Sequence, residues 1–116
     1  MTAPRASKAS AYHCPVEATL DVIGGKWKAV ILFWLKDGVR RFGELRRRIP
    51  GVSERMLTQQ LRELEAHGIV RRQVYPVVPP RVEYSLTPYG RTLRPITELM
   101  CAWGKEHIKR LEADGA

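Results

Sequence analysis

The chain has only two cysteines, Cys14 and Cys101, far apart and in no C-x-x-C pair. That spacing suits a reducing, cytoplasmic compartment better than a disulfide scaffold. Long apolar runs are missing too. The longest, Ala29 to Leu35, has seven residues, whereas a bilayer-spanning helix needs about 20, so no membrane partner is expected. The opening MTAPRASKASAYH has no apolar h-region, so no secretory signal is expected. His13, His67 and His107 are scattered and show no metal-ligand spacing. There is no glycine-rich phosphate loop, no pair of catalytic carboxylates and no Ser/His/Asp set in a helping context. An enzyme, a metal site and a bound cofactor are therefore not expected. No internal repeat or low-complexity tract is found.

Negative charge is the scarcer sign. Twenty Lys and Arg stand against 12 Asp and Glu, a formal net charge of +8 with a pI near 10.0. The 116 residues, 44% hydrophobic and 28% charged, are ordinary material for one compact domain. The charge is uneven. Residues 37–72 hold nine basic and five acidic residues, and residues 73–116 hold six and five. The middle of the chain is the expected contact surface for a phosphate-rich partner, and the nearly neutral last third is packing or dimer material. The plainer alternative, that the arginines only solvate helix faces, accounts for the charge but not for the order of elements.

Residues 1–13, small, polar and basic, are expected as a flexible arm, and residues 14–112 as the folded domain. Pro15 suits the first position of a helix that carries Val16, Leu20 and Ile23 on one face and ends at Gly24 and Gly25. Lys26 to Lys36 is a second helix, apolar nearly all round and so expected in the middle of the fold. Asp37 and Gly38 stop it, and Arg40 and Arg41 run extended. A third helix over Phe42–Ile49 should bury Phe42, Leu45 and Ile49. Pro50 and Gly51 break it. Ser53 then caps a fourth helix, Glu54 to about His67, with Gly68 at its C-terminal stop. Val70–Val77 and Arg81–Leu86 are strands of a hairpin, with Val78, Pro79 and Pro80 at the tip. Pro88 opens a last helix to about Leu111, expected to bury Leu93, Ile96, Met100, Trp103 and Leu111.

Two short amphipathic helices joined by a Pro-Gly turn, then a hairpin, then another helix: this is the order of a winged helix-turn-helix, mainly α with a small β-hairpin wing. In that fold one helix enters the major groove of DNA. At 100° per residue, Leu57, Leu61 and Leu64 share the core side of the fourth helix. Arg55, Gln59 and Arg62 point the other way, flanked by Met56, Thr58 and Glu63. Arg can grip guanine O6 and N7, and Gln adenine N6 and N7, so Arg55 and Gln59 are the candidate base readers. Arg62 is the candidate phosphate contact. The alternative is that Gln59 and Arg62 are merely exposed helix formers. Ser53 can cap the helix or help bind phosphate at its N-terminus. Arg46 and Arg47, on the helix that crosses the backbone, are further phosphate candidates, and Lys26 and Lys28 are weaker ones. Arg81, just past the wing tip, can reach a phosphate or the minor groove, or pair with an acid such as Glu83. A winged helix serving only as a protein–protein module is the rival reading. It calls for a neutral or acidic helix face, against Arg55 and Arg62.

Five blocks carry a family likeness: CPVE (Cys14–Glu17), IGGKW (Ile23–Trp27), RFGELRR (Arg41–Arg47), the LTQQLRELE run (Leu57–Glu65) and PPRVEYSLTPYG (Pro79–Gly90). Together, and in this order, they resemble the HxlR-type transcriptional regulators, winged-helix proteins similar in architecture to MarR-type regulators. The resemblance spans about residues 14–112. It implies a homodimeric DNA-binding regulator whose N- and C-terminal helices form the dimer interface. A dimer of this kind binds a pseudo-palindromic operator; repression is the expected output, though the resemblance does not fix repressor versus activator. The operator, the target genes and any small-molecule or oxidant effector stay open. Cys14 sits at a helix mouth, where the helix N-terminus favours thiolate, and some HxlR-type regulators sense oxidants or electrophiles with a cysteine placed here. Cys14 is thus the candidate redox sensor, the alternative being a small buried residue in a dimer contact. Cys101, between Met100 and Trp103, is expected as core filler.

Overall fold

The computed structural model describes residues 11–115. Most of the arm expected over 1–13 lies outside that range. Five α-helices and three short strands follow in the order α1 (Pro15–Ile23), α2 (Lys28–Leu35), β1 (Arg40–Arg41), α3 (Phe42–Arg48), α4 (Glu54–Ala66), β2 (Val70–Tyr75), β3 (Arg81–Leu86) and α5 (Arg94–Ala113). The strands form one antiparallel sheet in the order β1-β3-β2. The hairpin was legible from the sequence. The pairing of Arg40 and Arg41 with Tyr84 and Glu83 adds an edge strand where only an extended link was expected.

The core is apolar and continuous. Ile23, Ile31, Leu32, Leu35, Leu45, Ile49, Leu57, Leu61, Leu64, Ile69, Val70, Tyr84 and Leu86 are all buried in one cluster. Each large aliphatic side chain hidden this way contributes roughly 1.5–3 kcal/mol. Helix α2 supplies three of them, as its composition demanded, and lies between α3, α4 and α5. Phe42 is only partly buried and packs against the edge of the cluster.

Helix α4 and the sheet are joined by local chemistry. Gly68 takes φ +75°, which an L side chain rarely adopts. Its N–H reaches the Glu65 carbonyl at 2.9 Å, and the Ile69 N–H reaches the Leu64 carbonyl at 3.0 Å. This is the Schellman stop. The far end of β3 is pinned to the same turn. The Thr87 hydroxyl donates to the Gly68 carbonyl at 2.6 Å and accepts from the Gly90 N–H at 2.8 Å. A Cβ on Gly90 would lie 2.1 Å from the Ile69 carbonyl oxygen, so only glycine allows the backbones this close.

Several boundaries and the burial of the terminal helices differ from expectation. Helix α2 opens at Lys28 rather than Lys26, with Trp27 as its N-cap residue. Strand β2 ends at Tyr75 rather than Val77. Pro76 has no N–H to give the ladder, and the Val77 N–H turns back to the Tyr75 carbonyl. The last helix does not start at Pro88. A 3-10 turn over Gly90–Leu93 comes first, and α5 opens at Arg94 with Pro95 in its first turn, where a missing N–H costs nothing. Within α5 only Thr97 is buried. The stripe expected to be hidden is largely bare: Ile96, Met100, Trp103 and Leu111 are exposed, and so is Leu99. The start of α5 packs on α2 through the face that carries Thr97, which turns the apolar stripe outward. Helix α1 repeats the pattern, with Ile23 buried and Val16 and Leu20 exposed. Cys101, expected as core filler, is half-buried.

Candidate nucleic-acid interface

The site is built on α4. Ser53, with extended backbone, caps the helix, and its hydroxyl accepts from the Met56 N–H at 3.0 Å. Such a cap contributes about 1 kcal/mol and sets where the helical phase begins. From there the wheel runs as the sequence implied. Leu57, Leu61 and Leu64 face the core with at most 1% exposure. Arg55, Met56, Gln59 and Arg62 are exposed, and Thr58 is half-buried beside them.

The arginines fall into two groups. Among the described residues, Arg46, Arg47, Arg55 and Arg62 have no ion-pair or side-chain hydrogen-bond partner, so their guanidinium groups are available. Arg81 is engaged. Its Nε lies 3.4 Å from Glu83 Oε2, and its guanidinium stacks over the Tyr75 ring at 4.4 Å. The register pairs Arg81 with Tyr75 and Gln73 with Glu83, so all four share one face of the sheet. Tyr84 and Leu86, both buried, occupy the other. The ion pair named as the alternative for Arg81 is therefore formed.

Lys28 is not free for phosphate either. It is buried, and its Nζ lies 2.5 Å from Glu63 Oε1 on α4. Lys28, helped by Gln59, holds the Glu63 carboxyl below its ordinary range, with burial acting the other way. Gln59 Nε2 donates to Glu63 Oε2 at 3.3 Å. Lys26 is exposed and sits 4.8 Å over the Trp27 ring. On α3, Glu44 reaches back to accept from the Arg41 N–H at 2.9 Å. That hydrogen bond holds its carboxyl low, with Arg40 assisting.

An open cleft of about 450 Å³ runs between α4 and the sheet, lined among others by Thr58, Arg62, Arg72, Val82 and Tyr84. Arg72 was not picked out from the sequence. It pairs with Tyr84 and so lies on the inward face of β2 with Val70, beside Arg62. Strand alternation carried the signal: a cation two residues from buried Val70 points toward the helix.

Cys14 is the N-cap residue of α1. It is exposed and makes no side-chain capping bond. Neighbouring His13 sends its backbone N–H to Glu17 Oε1 and holds its ring Nδ1 3.5 Å from the same oxygen. Among the described residues no group of three His, Cys, Asp or Glu side chains is placed to hold a metal, and no helix is long and apolar enough to cross a membrane.

A helix-turn-helix followed by a β-hairpin wing in a three-stranded sheet is the winged helix-turn-helix architecture, and sequence comparison places the chain among its DNA-binding regulators. Residues 22–112 match the HxlR-like helix-turn-helix family, and the chain belongs to that family. It is 56% identical over 103 residues to the uncharacterized HTH-type transcriptional regulator YtcD of Bacillus subtilis (strain 168), covering 89% of this chain and 82% of that protein. Among solved structures, the redox regulator HypR in its oxidized form is similar at TM-score 0.78 and 61% identity, covering 80% of this chain and 96% of that one. HypR in its reduced form is similar at TM-score 0.80 and 58% identity, covering 86% and 99%.

Proposed function

We propose that the chain is a cytoplasmic, homodimeric repressor that binds a pseudo-palindromic operator in double-stranded DNA. The observation that carries this reading is the α4 face. A helix whose leucines are fully buried presents Arg55, Gln59 and Arg62 outward, and two of these three side chains are unpaired cations. Arg55 and Gln59 read base edges, and Thr58 and Met56 flank them. Arg62, Arg46 and Arg47 bind phosphates, and Ser53 places the helix N-terminus near one. Arg81 supports the wing through Tyr75 and Glu83 and meets the backbone only by exchanging that ion pair for a phosphate. A compact dimer seated on a promoter blocks polymerase by exclusion alone, which makes repression the simplest output.

The dimer is supported by the bare faces of α1 and α5. Val16, Leu20, Ile96, Leu99, Met100 and Trp103 are all at least 38% exposed, more apolar surface than a small monomer normally leaves wet. A two-fold pair places its α4 helices about 34 Å apart, one turn of DNA. The test is a titration of duplex DNA carrying the promoter beside the gene, with sedimentation in parallel. Raising salt from low to physiological should weaken binding by at least about tenfold, and the protein should sediment as a dimer at micromolar concentration. Salt-independent affinity would leave the fold as a protein–protein module, and a monomer would remove the paired half-sites.

Cys14 is proposed as the input. The thiol is exposed and opens the helix that carries Val16 and Leu20. Oxidation or alkylation there adds bulk or a cross-link beside the proposed interface and alters the spacing of the α4 helices. Diamide or a quinone should change operator affinity in the wild type and in Cys14→Ser should not, while Cys101→Ser should respond as wild type. Unchanged affinity with Cys14 shown by mass spectrometry to be modified would make it a structural residue.

A further inference from the structure

We infer that Glu63 is a positioning residue for base recognition: held from beneath by Lys28, it fixes which way the Gln59 amide faces the DNA. This rests on the reading of Gln59 as a base reader. A free glutamine amide can rotate by 180° and exchange its donor and acceptor ends at little cost. Gln59 is not free. Its Nε2 lies 3.3 Å from Glu63 Oε2. An ionised carboxylate offers only acceptors, so the NH2 end must face Glu63, and the reversed amide would set two oxygens against each other. That leaves Oε1 and the second N–H of Nε2 for the base edge, which is the acceptor–donor pair that adenine N6 and N7 require.

The carboxylate is itself anchored. Glu63 Oε1 is bound by Lys28 Nζ at 2.5 Å, and the Lys28 side chain is only 11% exposed. Lys28 belongs to α2, 35 residues away in sequence, so the central helix of the fold sets a side-chain angle on the surface of α4. The two oxygens of one carboxylate divide the work. One meets the buried cation and the other meets the amide. A glutamate is ionised at neutral pH in any case, and Lys28 and Gln59 shift Glu63 further in that direction, so Glu63 is a pure acceptor there.

The test is binding-site selection on four full-length proteins: wild type, Gln59→Ala, Glu63→Gln and the double variant. Gln59→Ala should blur one position in each half-site. Glu63→Gln keeps the shape but can accept or donate, so it permits both amide orientations. It should blur the same position and no other, with discrimination falling by about tenfold, within the range a bidentate base contact supplies. In the double variant the two changes should not add, because both act through one side chain. If Gln59→Ala leaves the motif unchanged, the base-reader assignment fails. If Gln59→Ala blurs a position that Glu63→Gln leaves sharp, the positioning role fails and the base-reader assignment stands.

A measurement on the unaltered protein covers the case in which Glu63→Gln does not fold. The Gln59 side-chain amide proton resonances should move as Glu63 is titrated with acid, in step with the Glu63 carboxyl carbon. Gln59 resonances that ignore that titration would overturn the proposal.

Discussion

Helices α4 and α5 are built from similar residues and end up opposite. Leu57, Leu61 and Leu64 of α4 are at most 1% exposed, whereas Leu99 and Trp103 of α5 are 71% and 70% exposed. Helix α4 is complete within one chain: capped at Ser53, stopped at Gly68 and packed along its whole apolar side. Helix α5 has one buried residue, Thr97, and twenty residues of length. The difference separates two kinds of surface. The polar face of α4 is exposed because its charged and amide side chains are well solvated. The apolar face of α5 is exposed because one chain cannot cover it.

Breaking the two apolar faces in turn should give different results. Leu61→Ala should cost about 2–5 kcal/mol of stability, as large-to-small changes in a closed core do, read from denaturant unfolding. Leu99→Ala or Trp103→Ala should leave the chain's own packing nearly intact and instead shift the association equilibrium, so that unfolding depends more strongly on protein concentration. Equal losses that do not vary with concentration would erase the distinction between the helices.

The next effect sharpens the polar side. Arg55→Ala and Gln59→Ala should each change the selected sequence, since base contacts carry roughly 1–3 kcal/mol of discrimination. Arg81→Ala should lower affinity for all duplexes alike, and only modestly, because the arginine already spends its charge on Glu83 and Tyr75. A selected motif that Arg55→Ala and Gln59→Ala both leave intact would mean that another face of α4 meets the bases.

The smallest effect is a dependence on pH. In the folded chain Lys28 and Gln59 hold Glu63 below its usual value of 4.5. The folded state therefore binds that proton less readily than the unfolded state. The stabilisation is present above about 4.5 and is lost as pH falls through the lower folded value. Unfolding midpoints measured from pH 7 down to 3 should fall on the acid side, and Glu63→Gln should start lower and fall less. Parallel curves would show that the Lys28 contact does not couple to folding.

The legible parts of this fold rest on local chemistry. Pro50 and Gly51 between two helices, Ser53 as a cap, Gly68 as a stop and leucines at helical spacing in α4 each depend on residues within one or two turns. The wheel of α4 could therefore be drawn before its surroundings were known. Less legible was anything set by a partner distant in sequence. Lys28 looked like a weak phosphate contact until its neighbour proved to be Glu63. Strand alternation puts Arg72 on the same face as Val70, but that this face meets Arg62 across a cleft depends on where α4 lies. The apolar stripe of α5 was visible in the sequence, but the side it would face was not.

The sequence by itself determined the order of elements, the phase of α4, the positive charge of the middle segment and the five blocks that mark the family. These follow from backbone preferences and helical periodicity, which act over a few residues. Only the tertiary structure decided which charges are free and which are engaged. It paired Lys28 with Glu63 and Arg81 with Glu83, and left Arg55 and Arg62 without ion pairs among the described residues. It also turned the stripe of α5 outward, because α5 meets α2 with Thr97 as its buried residue and leaves Leu99, Met100 and Trp103 exposed. Ion pairs and packing faces depend on distances across the fold, and a linear pattern of residue types does not contain those distances.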